Sequence, residues 1–237
     1  MRVTGIDGCR AGWVAVTLTT PAATPRGGTT PTATPRNASA LTVTVTVAPD
    51  LDEFRLAGTV GIDMPLGLLA GGWRSADLLA RRALGRRGCC VFAIPPRPVW
   101  AEKVYADANR RCRELTGRGM SAQAWGLRAK LLEADRYRLA IRHPLHEVHP
   151  ELAFAAMAGG PLPDSKHSPA GLTARHVLLK TVGITLPAAP PRGVGEDDLL
   201  DAAAVAWSAR RIAAGTAEVL SDPAQRADDG AEIAIRY

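Results

Sequence analysis

Two apolar runs each end on an aspartate: Val3-Thr4-Gly5-Ile6-Asp7 is followed by Gly8, and Thr59-Val60-Gly61-Ile62-Asp63 by Met64-Pro65. An acid at a strand end emerges where the backbone opens. If the two strands are parallel neighbours, the carboxylates lie side by side. Like charges that close raise each other's pKa unless a cation neutralises them, and oxygen donors of this kind suit Mg²⁺ or Mn²⁺. A third acid is offered by His146-Glu147-Val148-His149-Pro150-Glu151, as Glu147 or Glu151, and a fourth by Asp197, Asp198 and Asp201. Asp198 and Asp201 stand three residues apart, so one helix can point both at one place. Carboxylates in this number support two-metal chemistry, with ions roughly 4 Å apart stabilising the attacking and leaving oxygens of a phosphodiester. Asp7, Asp63, Glu147, Asp198 and Asp201 are therefore the candidate catalytic residues, with Asp7, Asp63, Glu147 and Asp198 as metal ligands.

Each acid also has a plainer reading. Asp7 and Asp63 can bond local amides as turn formers, and Asp197 and Asp198 can complement a helix dipole. Asp201, further in and beside Leu200 and Ala202, is explained less well by the dipole. His146 and His149 stand i, i+3 on a strand, which puts them on opposite faces, so surface or capping roles fit them better than joint metal ligation. His149 is still placed to assist proton transfer.

The elements that must position these groups follow from periodicity. Val3 to Asp7 and Gly12 to Leu18 read as strands joined by a tight turn, and the Thr/Val alternation from Leu41 to Val47 as an antiparallel edge strand. Between them, residues 20–40 are rich in Thr, Pro, Ala and Gly without apolar period, which predicts a long mobile loop. A short helix over Pro49 to Leu56 and a strand over Thr59 to Asp63 follow. The pattern then turns helical, with helices expected over Ser75 to Leu84, Trp100 to Leu115 and Ser121 to Arg142. Leu145 to His149 reads as a fifth strand, and Pro150 to Ala158, Ala170 to Val182 and Glu196 to Ala214 as helices. Ala231 to Tyr237 alternates weakly and adds a terminal strand. Three antiparallel strands, a helix, a fourth strand and a helical remainder with a fifth strand is the order of a ribonuclease-H-like α/β domain. It spans 1–237 as a single domain with a helical insertion over 70–142.

Composition bounds the rest. The chain has 237 residues, of which 46% are hydrophobic, enough for one sizeable core. No run approaches the roughly 18 apolar residues of a membrane span, and no signal-type segment opens the chain, so no membrane partner is expected and a cytoplasmic location is. Cys9, Cys89, Cys90 and Cys112 lack the CxxC spacing of zinc or redox sites. The net charge of +6 rests mostly on arginine and favours anionic partners, nucleic acid among them, although arginine-rich composition alone also solvates helix faces. Trp13, Trp125 and Trp207 fall on apolar patterns and read as core.

Taken in order, Gly5-Ile6-Asp7-Gly8-Cys9-Arg10 with Gly12-Trp13-Val14, Gly61-Ile62-Asp63-Met64-Pro65-Leu66-Gly67, Glu147-Val148-His149-Pro150-Glu151, Ser165-Lys166 and Gly195-Glu196-Asp197-Asp198-Leu199-Leu200-Asp201-Ala202 make a set. Gly117-Arg118-Gly119-Met120-Ser121 with Gln123, and Lys130 with Glu133 and Asp135, extend it. This ordered set resembles the predicted ribonuclease-H-like nucleases first catalogued only as a domain of unknown function. The resemblance implies the fold and a metal-dependent nuclease activity. The chain departs from the pattern in its 20–40 insert and in Cys89-Cys90-Val91-Phe92, where serine tends to precede Val-Phe.

Arg10, Arg97, Gln123, Lys130 and Lys166 are the candidates for holding phosphate or substrate, since arginine suits bidentate phosphate contacts and lysine supplies a point charge. Arg97, between two prolines, reads equally as structural, and Lys130 can pair along its own helix. The expected activity is metal-dependent hydrolysis of nucleic-acid phosphodiesters. The alternatives are a hydrolase or transferase of a small phosphorylated metabolite or nucleotide, and a non-catalytic nucleic-acid-binding module. An actin-like ATPase would need two such domains.

Overall fold

The structure is a computed structural model and describes residues 1–20, 41–141 and 144–237. Apart from Thr20, the segment expected to form a mobile loop, 20–40, lies outside the described residues, as does Arg142.

Strands β1 (Arg2–Cys9) and β2 (Gly12–Thr19) form a hairpin with Asp7 opposite Val14, and β3 (Thr42–Ala48) pairs antiparallel with β2. On the other side of β1 runs β4 (Thr59–Ile62), parallel and in register Ile6 to Ile62, and beyond it β5 (Leu145–Glu147), parallel, with Ile62 beside Glu147. The order β3-β2-β1-β4-β5 makes a mixed five-stranded sheet with helices on both faces, a ribonuclease-H-like α/β architecture.

Alternation along the strands sorts side chains to two faces. One face buries Val3, Cys9, Val14 and Val16 against α6 (Pro150–Ala158), α7 (Pro169–Thr181) and α8 (Glu196–Ala213). The other buries Ile6, Trp13, Val60 and Ile62 under the inserted helices, with Trp100, Leu131 and Tyr137 supplying the far wall. Those helices are α1 (Ser75–Leu84), α2 (Arg97–Trp100), α3 (Tyr105–Thr116), α4 (Ala122–Gly126) and α5 (Arg128–Ala140).

Helix α8 lies unusually close to β1 and β4, and two glycines allow it. A Cβ on Gly5 would stand 2.0 Å from the Ala206 backbone nitrogen and 2.3 Å from the Ala202 carbonyl oxygen. One on Gly61 would stand 2.9 Å from a Val205 methyl. The helix answers with small residues, Ala202, Ala203, Ala204 and Ala206, all buried. The glycine of each Gly-Ile-Asp run is thus a packing device that brings a helix onto the sheet.

Several elements differ from their sequence-based expectation. Pro49 to Leu56 holds only one 3-10 turn, Leu51–Glu53. The helix expected from Trp100 divides into α2 and α3, separated by Ala101 to Val104, and that expected from Ser121 divides into α4 and α5 at Leu127, just after Gly126. Ser121 caps α4 by accepting the Ala124 N–H. The terminal strand β7 (Glu232–Arg236) pairs with β6 (Val219–Arg226) in a separate sheet. It touches the main sheet through a bridge from Val148 to Arg236. The β6 sequence, Val-Leu-Ser-Asp-Pro-Ala-Gln-Arg, has no alternation to betray it, because most of its residues face solvent. Among the described residues, no helix is long and apolar enough to cross a membrane.

Candidate metal centre

Because Ile6 and Ile62 are in register, Asp7 and Asp63 are the next residues on neighbouring parallel strands, and the Asp63 N–H donates to the Ile6 carbonyl at 2.9 Å. Both project on the face that carries α8, and α8 supplies Asp201. One oxygen from each of these three carboxylates lies within 4.8 Å of the others. Asp7 and Asp201 are buried and Asp63 is half-buried. Asp7 Oδ1 accepts the Gly8 N–H at 2.6 Å, and Asp201 Oδ2 accepts from Lys166 Nζ at 2.6 Å. Asp201 Oδ1 is buried with no hydrogen-bond partner among the described residues.

The electrostatics follow. Burial, and then the charges of Asp63 and Asp201, push the Asp7 carboxyl well above its ordinary value. Burial likewise pushes Asp63 and Asp201 up to about 7, with Lys166 opposing in both cases. Burial works against the Lys166 ammonium, but the charges of Asp201, Asp7 and Asp63 outweigh it and hold the proton on. One ammonium facing three carboxylates leaves the centre short of positive charge. The donor set is oxygen only, one oxygen has no partner, and a hard divalent cation such as Mg²⁺ or Mn²⁺ fits both facts.

Glu147 does not join the three. It sits in register with Ile62 and Ile6, one residue before the level of Asp63, so pleat alternation turns it to the opposite face. There the Arg74 guanidinium contacts both its oxygens, at 2.5 and 2.6 Å, and the Leu66 N–H donates at 2.7 Å. Arg74 also reaches Asp77 at 3.4 Å, so Glu147 belongs to a buried ionic network. Asp198, at the start of α8, accepts the Gly195 N–H at 3.0 Å and caps its own helix. Of the pair left open by spacing, Asp201 is the one that converges. Glu151 is buried against Arg175 at 2.6 Å, yet stands near enough for its charge to act on Asp63.

The candidates for substrate contact separate in the same way. Lys166 lies at the centre. Lys130 lines the same cavity but is engaged: its Nζ donates to the Gly12 carbonyl and stands 4.3 Å over the Trp13 ring. Arg97 pairs with Asp135 at 2.7 Å and with Asp228, away from the cavity. Arg10 is exposed and off the cavity walls, and Gln123 lines a different groove. His149 caps α6, its Nδ1 accepting the Glu151 N–H at 3.3 Å, and burial lowers its pKa.

The centre opens into a cavity of about 540 Å³. Its apolar wall is Met64, Val91, Phe92, Ile94 and Ile235, and Cys90 and Arg87 stand beside it. Sequence reasoning did not anticipate Arg87 or this wall, because its members come from the end of β4, the stretch after α1 and β7, which no local pattern links. Arg74 was also missed; nothing in its neighbourhood distinguishes it from the other arginines.

The model of a family described as Protein of unknown function (DUF429) matches residues 5–226, and the chain belongs to that family. No curated protein and no solved structure matches it.

Proposed function

We propose that this member of a family of unknown function is a metal-dependent phosphodiester hydrolase that acts on nucleic acid. The observation that carries the reading is the convergence of Asp7, Asp63 and Asp201, from two parallel strands and a helix, to within 4.8 Å of one another, with one Asp201 oxygen buried and without a partner among the described residues. Charge supports it. The cavity walls hold Asp7, Asp63, Asp77, Glu147, Glu151, Asp198 and Asp201 against Arg87, Lys130 and Lys166. Such a lining repels a phosphate unless a cation enters with it.

Asp7, Asp63 and Asp201 would hold that cation, which supplies Lewis acidity toward a phosphoryl oxygen and makes a bound water more acidic. The chain's own groups do the rest. Lys166, tied to Asp201 at 2.6 Å, offsets carboxylate charge and keeps N–H groups free to donate to a phosphate oxygen. His149, with Nδ1 accepting a backbone N–H and its pKa lowered by burial, is a neutral imidazole on the cavity wall that fixes the start of α6 rather than serving as a proton donor. The wall of Met64, Val91 and Phe92 excludes water from one side and offers an apolar face.

Calorimetric titration with Mn²⁺, paired with cleavage of single-stranded oligonucleotides, tests the reading. Wild type should bind Mn²⁺ and cleave, and Asp7→Asn should lose both while melting as a folded protein. Absent Mn²⁺ binding, with wild type and variant equally inert, overturns it. A second reading, hydrolysis of a small phosphorylated metabolite or nucleotide, draws support from the location of the acids inside a cavity of about 540 Å³. Faster turnover of a mononucleotide than of a trinucleotide would decide for it.

A further inference from the structure

Beside the acidic cavity lies a second one of about 500 Å³, and the two share Val91 and Phe92 as a common wall. The partition is the Cys89 to Ala93 segment, with Cys90 facing the acids and Cys89 and Ala93 facing the second groove. The chemistry reverses across it. No carboxylate lines the second groove, whereas Arg81 and Arg118 do, together with Trp73, Ser121 and Gln123. Both arginines are exposed, and neither guanidinium has a carboxylate partner or a hydrogen bond among the described residues. Arg118 lies 5.2 Å from the centroid of the Trp73 ring, so a planar cation and an aromatic face already meet there. The Gly117-Arg118-Gly119-Met120-Ser121 run with Gln123, which has no part in the metal centre, is thereby placed: four of its residues and Gln123 form this groove.

We infer that the groove is a second subsite of the hydrolase, binding the phosphate and base of the nucleotide next to the one at the metal centre, with Phe92 standing between successive units of a single strand. The inference rests on the hydrolase reading and adds its substrate class. Guanidinium groups without partners suit phosphate oxygens, and an aromatic face with an amide beside it takes an unpaired base by stacking and edge contacts. Each cavity has the volume of one small-molecule-sized unit. In a duplex the bases are stacked inward and present no face to either cavity, so a single strand is the form that fits.

The test is calorimetric binding, in Mn²⁺, of phosphorothioate thymidine oligonucleotides one to four units long. In wild type the affinity should rise about tenfold or more from one unit to three, as charged contacts of this kind are worth. In R81Q/R118Q that gain should shrink to within about threefold, and the slope of log affinity against log salt should become shallower by about 0.7, the value for one phosphate on a single strand. Gln123→Ala, at the exposed rim, should reduce the gain by a smaller factor and serves as a second variant if the double one folds poorly. No gain with length in wild type, a gain and salt slope unchanged in both variants, or tighter binding of a duplex of the same length would overturn the subsite. Failure of the hydrolase reading looks different: no Mn²⁺ binding and no cleavage by wild type, whatever the length dependence.

Discussion

The two cavities that back onto each other at Val91 and Phe92 are built in opposite ways. The acidic one is assembled from strand ends and a helix held at fixed spacing, with its carboxylates buried or half-buried. The basic one is assembled from exposed side chains on the inserted helices and the turns between them. A net charge of +6 therefore says nothing about the sign of the site: the excess arginine is largely outside, and the acids are within. The difference also predicts how each side responds to change. Where backbone packing sets the positions, substitutions act on stability and metal binding. Where free side chains do, they act on affinity and its salt dependence.

The largest effect should come from Gly5→Ala, whose Cβ has no room beneath the α8 backbone. A loss of more than about 3 kcal/mol in urea unfolding, or failure to fold, is expected, because overpacking against main chain cannot relax by a rotamer change. On the basic side, Gly119→Ala meets a side-chain oxygen, that of Asn109, which can move only by giving up the hydrogen bond it accepts from the Met120 N–H; about 1 kcal/mol is expected there. Equal costs would erase the contrast.

Next is Arg74→Met, which leaves Glu147 and Asp77 buried without their cation. A cost of about 3 kcal/mol follows from breaking a buried pair, the low end because Glu147, already pushed to about 7 mainly by burial, can take up a proton. The folded fraction should keep its Mn²⁺ affinity. Loss of that affinity would return Glu147 to the metal centre.

The pH dependence of stability comes third. Folded Asp63 and Asp201 titrate at about 7, against an ordinary value of 3.8, so between those limits the folded chain binds more protons than the unfolded one. The metal-free protein should accordingly lose stability as pH rises from about 4 to about 7 and level off above. Mn²⁺ replaces those protons, so it should raise the melting temperature more at pH 8 than at pH 5. An equal shift at both would separate the cluster from the metal. Smallest of all, R81Q/R118Q should change unfolding free energy by no more than about 0.5 kcal/mol, since both arginines are exposed and without ion pairs among the described residues.

Sequence reasoning was strong for the frame. Short apolar and β-branched runs placed β1, β2 and β4, Thr/Val alternation placed β3, and the two Gly-Ile-Asp runs marked strand ends from which Asp7 and Asp63 emerge. The helical pattern of residues 75–142 gave the insertion, though its breaks at Ala101 to Val104 and at Leu127 did not show, because apolar residues continue across both. Strand β6 was invisible for want of a buried face.

What the amino-acid order determined alone is most of the element sequence, the family and a shortlist of acids, because each of these is written in local spacing. Which acids meet was decided only in three dimensions. A single residue of register sends Glu147 to Arg74 on the far face, and the missing Cβ atoms of Gly5 and Gly61 let α8 descend until Asp201, rather than Asp198, reaches Asp7 and Asp63. The reversal of charge across Phe92 is likewise tertiary, since the residues on its two sides are drawn from segments distant along the chain and meet only when the insertion packs beside the sheet.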